Sequence, residues 1–208
     1  MLHFQGSLVT FAAATLLLNI TPGPDMIYVV TRAATQGRSA GLVSALGIAC
    51  GCSVHILAVA LGVARLLQAA PSAGAAVRFA GAAYLLWLGF RALMQRDSTA
   101  ATSRPDRASL SRIFWQGVVT NVLNPKVALF FLAFLPQFVA PDRVFTGTLV
   151  LGTLFNVSGT VVNGIVALTA GSVGTVVRAG AGNSPWLRWL TGGVFIGLGL
   201  RLAVPESH

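Results

Sequence analysis

The sequence predicts an all-α membrane protein, and three observations carry that prediction. The chain of 208 residues is 55% hydrophobic and only 9% charged, where an ordinary soluble domain carries roughly 25% charged residues. Its mean hydropathy is +0.77. The apolar residues fall in blocks of roughly 20, the length that crosses a hydrocarbon core of about 30 Å at about 1.5 Å per residue.

Six such blocks predict six transmembrane helices, at 7–31, 41–67, 75–94, 113–140, 146–171 and 185–204. The first has no basic residue ahead of it and no small-residue cleavage site, so it is read as a retained span rather than a removed signal peptide. The second holds Gly47 and Gly51 in a GxxxG spacing, and the sixth holds Gly193 and Gly197. Such pairs permit close helix contact, chiefly within one bundle, and also allow a homodimer. Cys50 and Cys52 are two apart in the second span, on different sides of a helix. They suit neither an intrahelical disulfide nor a metal site, and read as small packing residues. Trp87, Trp115, Trp186 and Trp189 lie near span ends, as interfacial anchors do.

Connections are short except for 95–112 (QRDSTAATSRPDRASLSR), which is polar and basic. It divides a single transmembrane domain, 1–208, into a first repeat at 1–94 and a second at 113–208. Three spans per half is an odd number, so the halves insert with opposite orientation, a 3+3 inverted repeat. Loops one, three and five carry nine arginines near span ends, against four on the other side. The positive-inside rule then puts 95–112 in the cytoplasm and both termini outside the cytoplasmic membrane. The net charge of +9 does not indicate nucleic acid. The thirteen arginines and one lysine are scattered at block ends, with no basic groove and no interleaved aromatics.

The first span of each half is broken. The breaks are NITPGPD, Asn19 to Asp25, and NVLNPK, Asn121 to Lys126. Pro22 and Pro24 have no N–H, so the carbonyls of Leu18 and Ile20 lose their helical partners, and Pro125 does the same to Asn121. Gly23 loosens the first turn further. An unsatisfied carbonyl costs several kcal/mol in lipid, so a break persists only where protein or water meets it. Thr21 before Pro22, and Asn124 before Pro125, each read as an N-cap followed by proline at the first helical position. Freed carbonyls can meet an ammonium, and the N–H groups and positive dipole end of a new half-helix can meet a carboxylate. Paired breaks of this kind make the binding site of secondary transporters.

Asp25 and Lys126 each follow a break inside apolar surroundings, where a charge costs about 2.5–3.5 kcal/mol on insertion scales. Asp25 suits a helix N-terminus; Lys126 does not, and needs an anion. Asp25 is the one acidic residue in any predicted span, so the two are expected to pair or to share a water. The pair is either a buried structural bridge or one that opens to solute or proton. His55 lies on a small or polar stripe with Ser44, Gly47 and Gly51, and is either a hydrogen-bonded packing residue or a proton relay. Asn156 and Asn163 share a face with Gly152 and Gly159, and either line a pathway or hold helices together. HExxH and Walker motifs are absent from the sequence, so an enzyme is not expected, and no cofactor or metal is implied.

At these residues the chain resembles the lysine exporter / homoserine–threonine resistance (LysE/RhtB) family of bacterial amino-acid exporters. The matching pieces are NITPGPDMIYV, QGRSAGLVSALGIACG, GAAYLLWLGFRAL, NVLNPKVALFFLAFLPQF and GLGLRLA, spread over nearly the whole chain. The resemblance implies a multi-pass protein of the bacterial inner membrane that exports amino acids, driven by the proton gradient. Carried onto matching positions, its signature residues are Thr21, Pro22, Gly23, Pro24 and Asp25, with Asn124, Pro125 and Lys126. Family members often carry a polar or acidic residue near Cys52; the cysteine here leaves substrate preference open. With no extra acid in the spans, a neutral amino acid of the homoserine or threonine kind is favoured over a dibasic one. The remaining readings are a passive channel and a membrane thiol-redox carrier; the latter is disfavoured because both cysteines lie away from the breaks.

Overall fold

The computed structural model describes residues 8–69, 79, 82–83, 86–87, 90, 93–94, 107–178, 189, 192–193, 196–197 and 200. The described residues contain helices and no strands. In chain order they form α1 (Leu8–Ile20), α2 (Pro24–Gln36), α3 (Arg38–Ala69), α4 (Leu110–Val122), α5 (Pro125–Leu129) and α6 (Val144–Arg178). A π-helical turn, Phe130–Phe134, and a 3₁₀ turn, Leu135–Phe138, continue α5, and a second 3₁₀ turn, Pro141–Arg143, leads into α6. Most of the expected spans 75–94 and 185–204 lies outside the described residues, which take in eight positions of the first and six of the second.

Two described helices, Arg38–Gly62 within α3 and Val144–Thr169 within α6, are long and apolar enough to cross a membrane. A third crossing is available if α4 and Pro125–Phe138, bent by 46°, count as one. The bend has a local cause. Pro125 forces the residue before it out of the helical region, and Asn124 is extended at φ −76°, ψ 107°. Between α2 and α3 the chain turns at Gly37, whose φ of 91° is open only to glycine at little cost.

Unlike those of a soluble bundle, the helices are apolar outside as well as inside. On α6 the exposed face is Leu154, Val157, Val161 and Ile165, while Phe155 and Asn163 are buried. α3 is central and touches α2, α4 and α6. Its contact with α4 depends on glycine. A Cβ on Gly47 would strike the Phe114 carbonyl oxygen, and one on Gly51 would lie 2.6 Å from the Val118 oxygen. Gly117 faces them from α4, with the Ser44 oxygen 2.8 Å from where its Cβ would sit. This GxxxG face is therefore consumed inside the bundle, as close-approach packing requires. A Cβ on Gly193 or Gly197 would meet nothing within 4 Å among the described residues. Because the obstacle at Gly47 is backbone, Gly47→Ala should cost about 1–3 kcal/mol, the usual range for overpacking. Gly62→Ala, where a Cβ meets nothing within 4 Å, should be neutral or stabilising. Thermal unfolding of the two variants in detergent checks the contrast; equal midpoints would contradict it.

A second core lies where α1, the turns after α5 and α6 meet. Phe11, Phe130, Phe131, Phe134, Phe138 and Phe155 are all buried there. Phe130 stacks on Phe155 with ring centroids 4.7 Å apart, and Phe11 meets Phe138 edge-on at 5.4 Å. This aromatic block anchors α1 and the segment after the second break, which brings the two breaks together.

Candidate functional site

Both breaks are completed by side chains from the other half of the chain. In the first, Thr21 N–H still reaches the Leu17 carbonyl at 3.0 Å. Pro22 has no N–H to offer Leu18. The Lys126 ammonium supplies that donor: Nζ donates to the Leu18 oxygen at 2.7 Å and to the Thr21 oxygen at 2.8 Å. In the second break Pro125 cannot donate to Asn121. The Asn121 carbonyl accepts instead from Asn124 N–H at 2.9 Å and from His55, whose Nε2–H tautomer donates at 3.1 Å. The His55 ring lies against Phe131, with centroids 6.1 Å apart.

Asn124 caps the restarted helix as its sequence predicts, its side-chain oxygen accepting from Lys126 N–H at 3.0 Å. The first break departs from expectation. α2 starts at Pro24, not Pro22, and its cap position is Gly23, extended at φ −156°, ψ −177°. A residue before proline avoids the helical region, so Pro24 bars Gly23 from a helix begun at Pro22. Thr21 turns its hydroxyl back to the Leu17 carbonyl at 2.5 Å rather than capping α2.

Asp25 and Lys126 face one cavity, and of the two arrangements expected of them, a direct pair or a shared water, the direct pair is not formed. Asp25 Oδ2 accepts from Asn121 Nδ2 at 2.8 Å, while Lys126 is held by the two carbonyls. The carbonyls win because both are left open beside the lysine's path: Pro22 strips Leu18 of its helical donor, and the Thr21 oxygen lies in the break between α1 and α2. Two acceptors in the same cavity have no protein donor: Asp25 Oδ1 and Asn121 Oδ1 are both buried and unsatisfied. A buried acceptor left without a donor costs about 1–3 kcal/mol, more if charged.

Asn19, Thr21, Gly23, Asp25, Asn121, Asn124 and Lys126 all line this cavity, together with Asn156 and Asn163 from α6. Pro22, Pro24 and Pro125 act through the backbone and are not part of its lining. His55 stands behind Asn121, outside the lining. Asn19 ties α1 to α6, donating to Ser158 Oγ at 2.9 Å and to the Phe155 oxygen at 3.3 Å. Asn156 ties α6 to α3, donating to the Ala49 oxygen at 3.0 Å and to Ser53 Oγ at 3.3 Å. Asn156 therefore does both things its position allowed: it lines the cavity and joins helices. Sequence reasoning missed Met26, Cys52 and Thr160, which also line it. Thr160 follows Asn156 by four residues, so helical spacing from a residue already singled out was the available signal there.

The cavity holds about 40 Å³, room for a few waters at roughly 10–15 Å³ each and not for an amino acid. The conformation described is thus contracted around its polar groups.

The chain matches the family model "LysE type translocator" over residues 16–206. It is 29% identical over 203 residues to an uncharacterized membrane protein of Pseudomonas aeruginosa, covering 93% of each chain. It is 29% identical over 211 residues to a leucine efflux protein of Klebsiella pneumoniae, covering 96% of this chain and 95% of that one. A homoserine/homoserine lactone efflux protein of Salmonella typhimurium is 30% identical over 127 residues, 61% of this chain and 62% of that one. No solved structure matches the chain.

Proposed function

The chain belongs to the LysE type translocator family, and on that premise we propose that it exports amino acids with neutral side chains from the cytoplasm in exchange for protons. The observation that carries this reading is the pair of buried acceptors without protein donors, Asp25 Oδ1 and Asn121 Oδ1, set in one cavity with the Lys126 ammonium. A zwitterion complements them. Its ammonium offers three N–H donors to the two oxygens. Its carboxylate meets Lys126, which spends two of its three N–H groups on Leu18 and Thr21. The rest of the lining includes Leu18, Met26, Ile48, Val127 and Phe155 and no second acid, which favours a neutral side chain. The relatives named for leucine and homoserine efflux agree with that preference.

Coupling follows from occupancy of one atom. Asp25 Oδ1 can hold a proton or accept from the substrate ammonium, but not both. A proton arriving from outside displaces the substrate there; its loss to the cytoplasm restores the acceptor. Because the cavity is too small for an amino acid, loading requires the two broken helices to separate, in keeping with alternating access. His55 serves as the donor that completes the second break, and Asn156 and Asn163 border the path. The two breaks, each completed from the other half, suit a 3+3 inverted repeat in the inner membrane. The test is efflux from proteoliposomes loaded with leucine, homoserine or lysine. Leucine or homoserine efflux should need an imposed proton gradient and collapse with an uncoupler. Efflux that persists with the uncoupler would indicate a channel instead.

The arginine distribution supports a cytoplasmic 95–112 loop. A cysteine placed at Ser103 should react with an impermeant maleimide only in inside-out vesicles. Labelling of intact spheroplasts would reverse the orientation.

A further inference from the structure

A second recess lies away from the cavity, between the end of α2 and the start of α4. Its volume is about 640 Å³, and Arg32, Arg112, Trp115 and Val119 are among its lining residues, none of which is acidic. The two helices run antiparallel here: Tyr28 donates to the Ile113 carbonyl at 2.8 Å, and Gln36 meets Ala108 at the other end. Arg32 is 7% exposed. Gln116 and Gln36 orient its guanidinium, at 2.8 and 3.1 Å, and it lies over the Tyr28 ring at 5.6 Å. Arg112 is exposed and sits in the first turn of α4, a turn without an acidic residue.

We propose that this recess binds an anionic phospholipid, its phosphate between Arg32 and Arg112 and an acyl chain along Trp115 and Val119. Position sets the occupant. α4 begins where the polar stretch ends, so Arg112 stands at headgroup depth, and the positive helix end adds to its field. Guanidinium groups match phosphate oxygens in bidentate geometry. One and two turns further along α4, Trp115 and Val119 are 61% and 53% exposed, forming an apolar wall below a cationic mouth. A water-soluble anion would use the mouth alone; a phospholipid uses both.

The test uses the full-length protein in phosphatidylcholine nanodiscs doped with brominated phosphatidylglycerol or brominated phosphatidylcholine. The readout is quenching of the Trp115 signal, taken as the difference between wild type and Trp115→Phe. Brominated phosphatidylglycerol should be preferred over the neutral lipid, and Arg112→Gln should reduce that preference about fivefold, the worth of one arginine at an anionic surface. Because Arg112 is exposed, this variant does not threaten the fold; Arg32→Gln should act in the same direction. Equal quenching by the two lipids, or an unchanged preference in Arg112→Gln, would overturn the proposal. So would displacement by soluble glycerol phosphate, which would mark a soluble-anion site. Loss of quenching as protein density rises would mark a face for a second copy, and would overturn it as well.

Discussion

Lys126→Met should lower export at least about tenfold, since one lost charge-assisted hydrogen bond of about 1.5–3 kcal/mol already shifts an equilibrium by that factor. Methionine keeps the volume of the side chain and removes the donor. Leu18 and Thr21 then lose the ammonium that meets their oxygens at 2.7 and 2.8 Å. The effect has two parts, and they separate experimentally. The orphaned carbonyls destabilise the first break, which appears as a lower unfolding midpoint. The missing cation removes the seat for the substrate carboxylate, which appears as weakened binding in the fraction that remains folded. Lys126→Arg separates them further. It keeps a cation with several donors, so the break should hold, while its planar fork presents the charge differently to substrate. Wild-type export by correctly inserted Lys126→Met would refute the assignment.

Asp25→Asn should also lower export by an order of magnitude or more, with little loss of stability. The substitution is isosteric, and its side-chain oxygen can still accept from Asn121 Nδ2, the bond seen at 2.8 Å. What changes is the second oxygen, Oδ1, buried without a protein donor. An amide in its place neither takes up a proton nor carries the negative charge that attracts an ammonium. Residual export should therefore no longer respond to an uncoupler, whereas residual export in Lys126→Met should still respond. Flux assays on both variants, with and without the uncoupler, measure this difference. If Asp25→Asn exports at the wild-type rate and still collapses with the uncoupler, Asp25 is not the coupling group.

Much of the site is legible in the chain because its causes are covalent and local. Proline lacks an N–H wherever it stands, so the loss of partners at Leu18 and Asn121 follows from NITPGPD and NVLNPK alone. The Asn124 cap is equally local. The Thr21 cap failed on a rule that was also local: two prolines one residue apart compete for the helix start, and the second prevails because it constrains the residue before it. Met26 and Cys52 carry no chemical label that separates a cavity wall from a helix contact, so only placement identifies them, whereas Thr160 is signalled by its spacing from Asn156.

By itself, then, the sequence determined the membrane class, the places where helices break, and which charges must find partners. Those are matters of composition, of missing donors, and of the cost of charge in hydrocarbon. Which partner each group finds was decided only by tertiary structure. Lys126 reaches Leu18 across 108 residues, and His55 reaches Asn121 across 66. The glycine face of α3 lets α4 approach closely enough for His55 to reach the second break. The phenylalanine core sets the first break beside Lys126. Sequence isolation made Asp25 look like the sole answer to Lys126. Packing placed two freed carbonyls nearer, and hydrogen-bond strength in a low-dielectric interior depends on that distance.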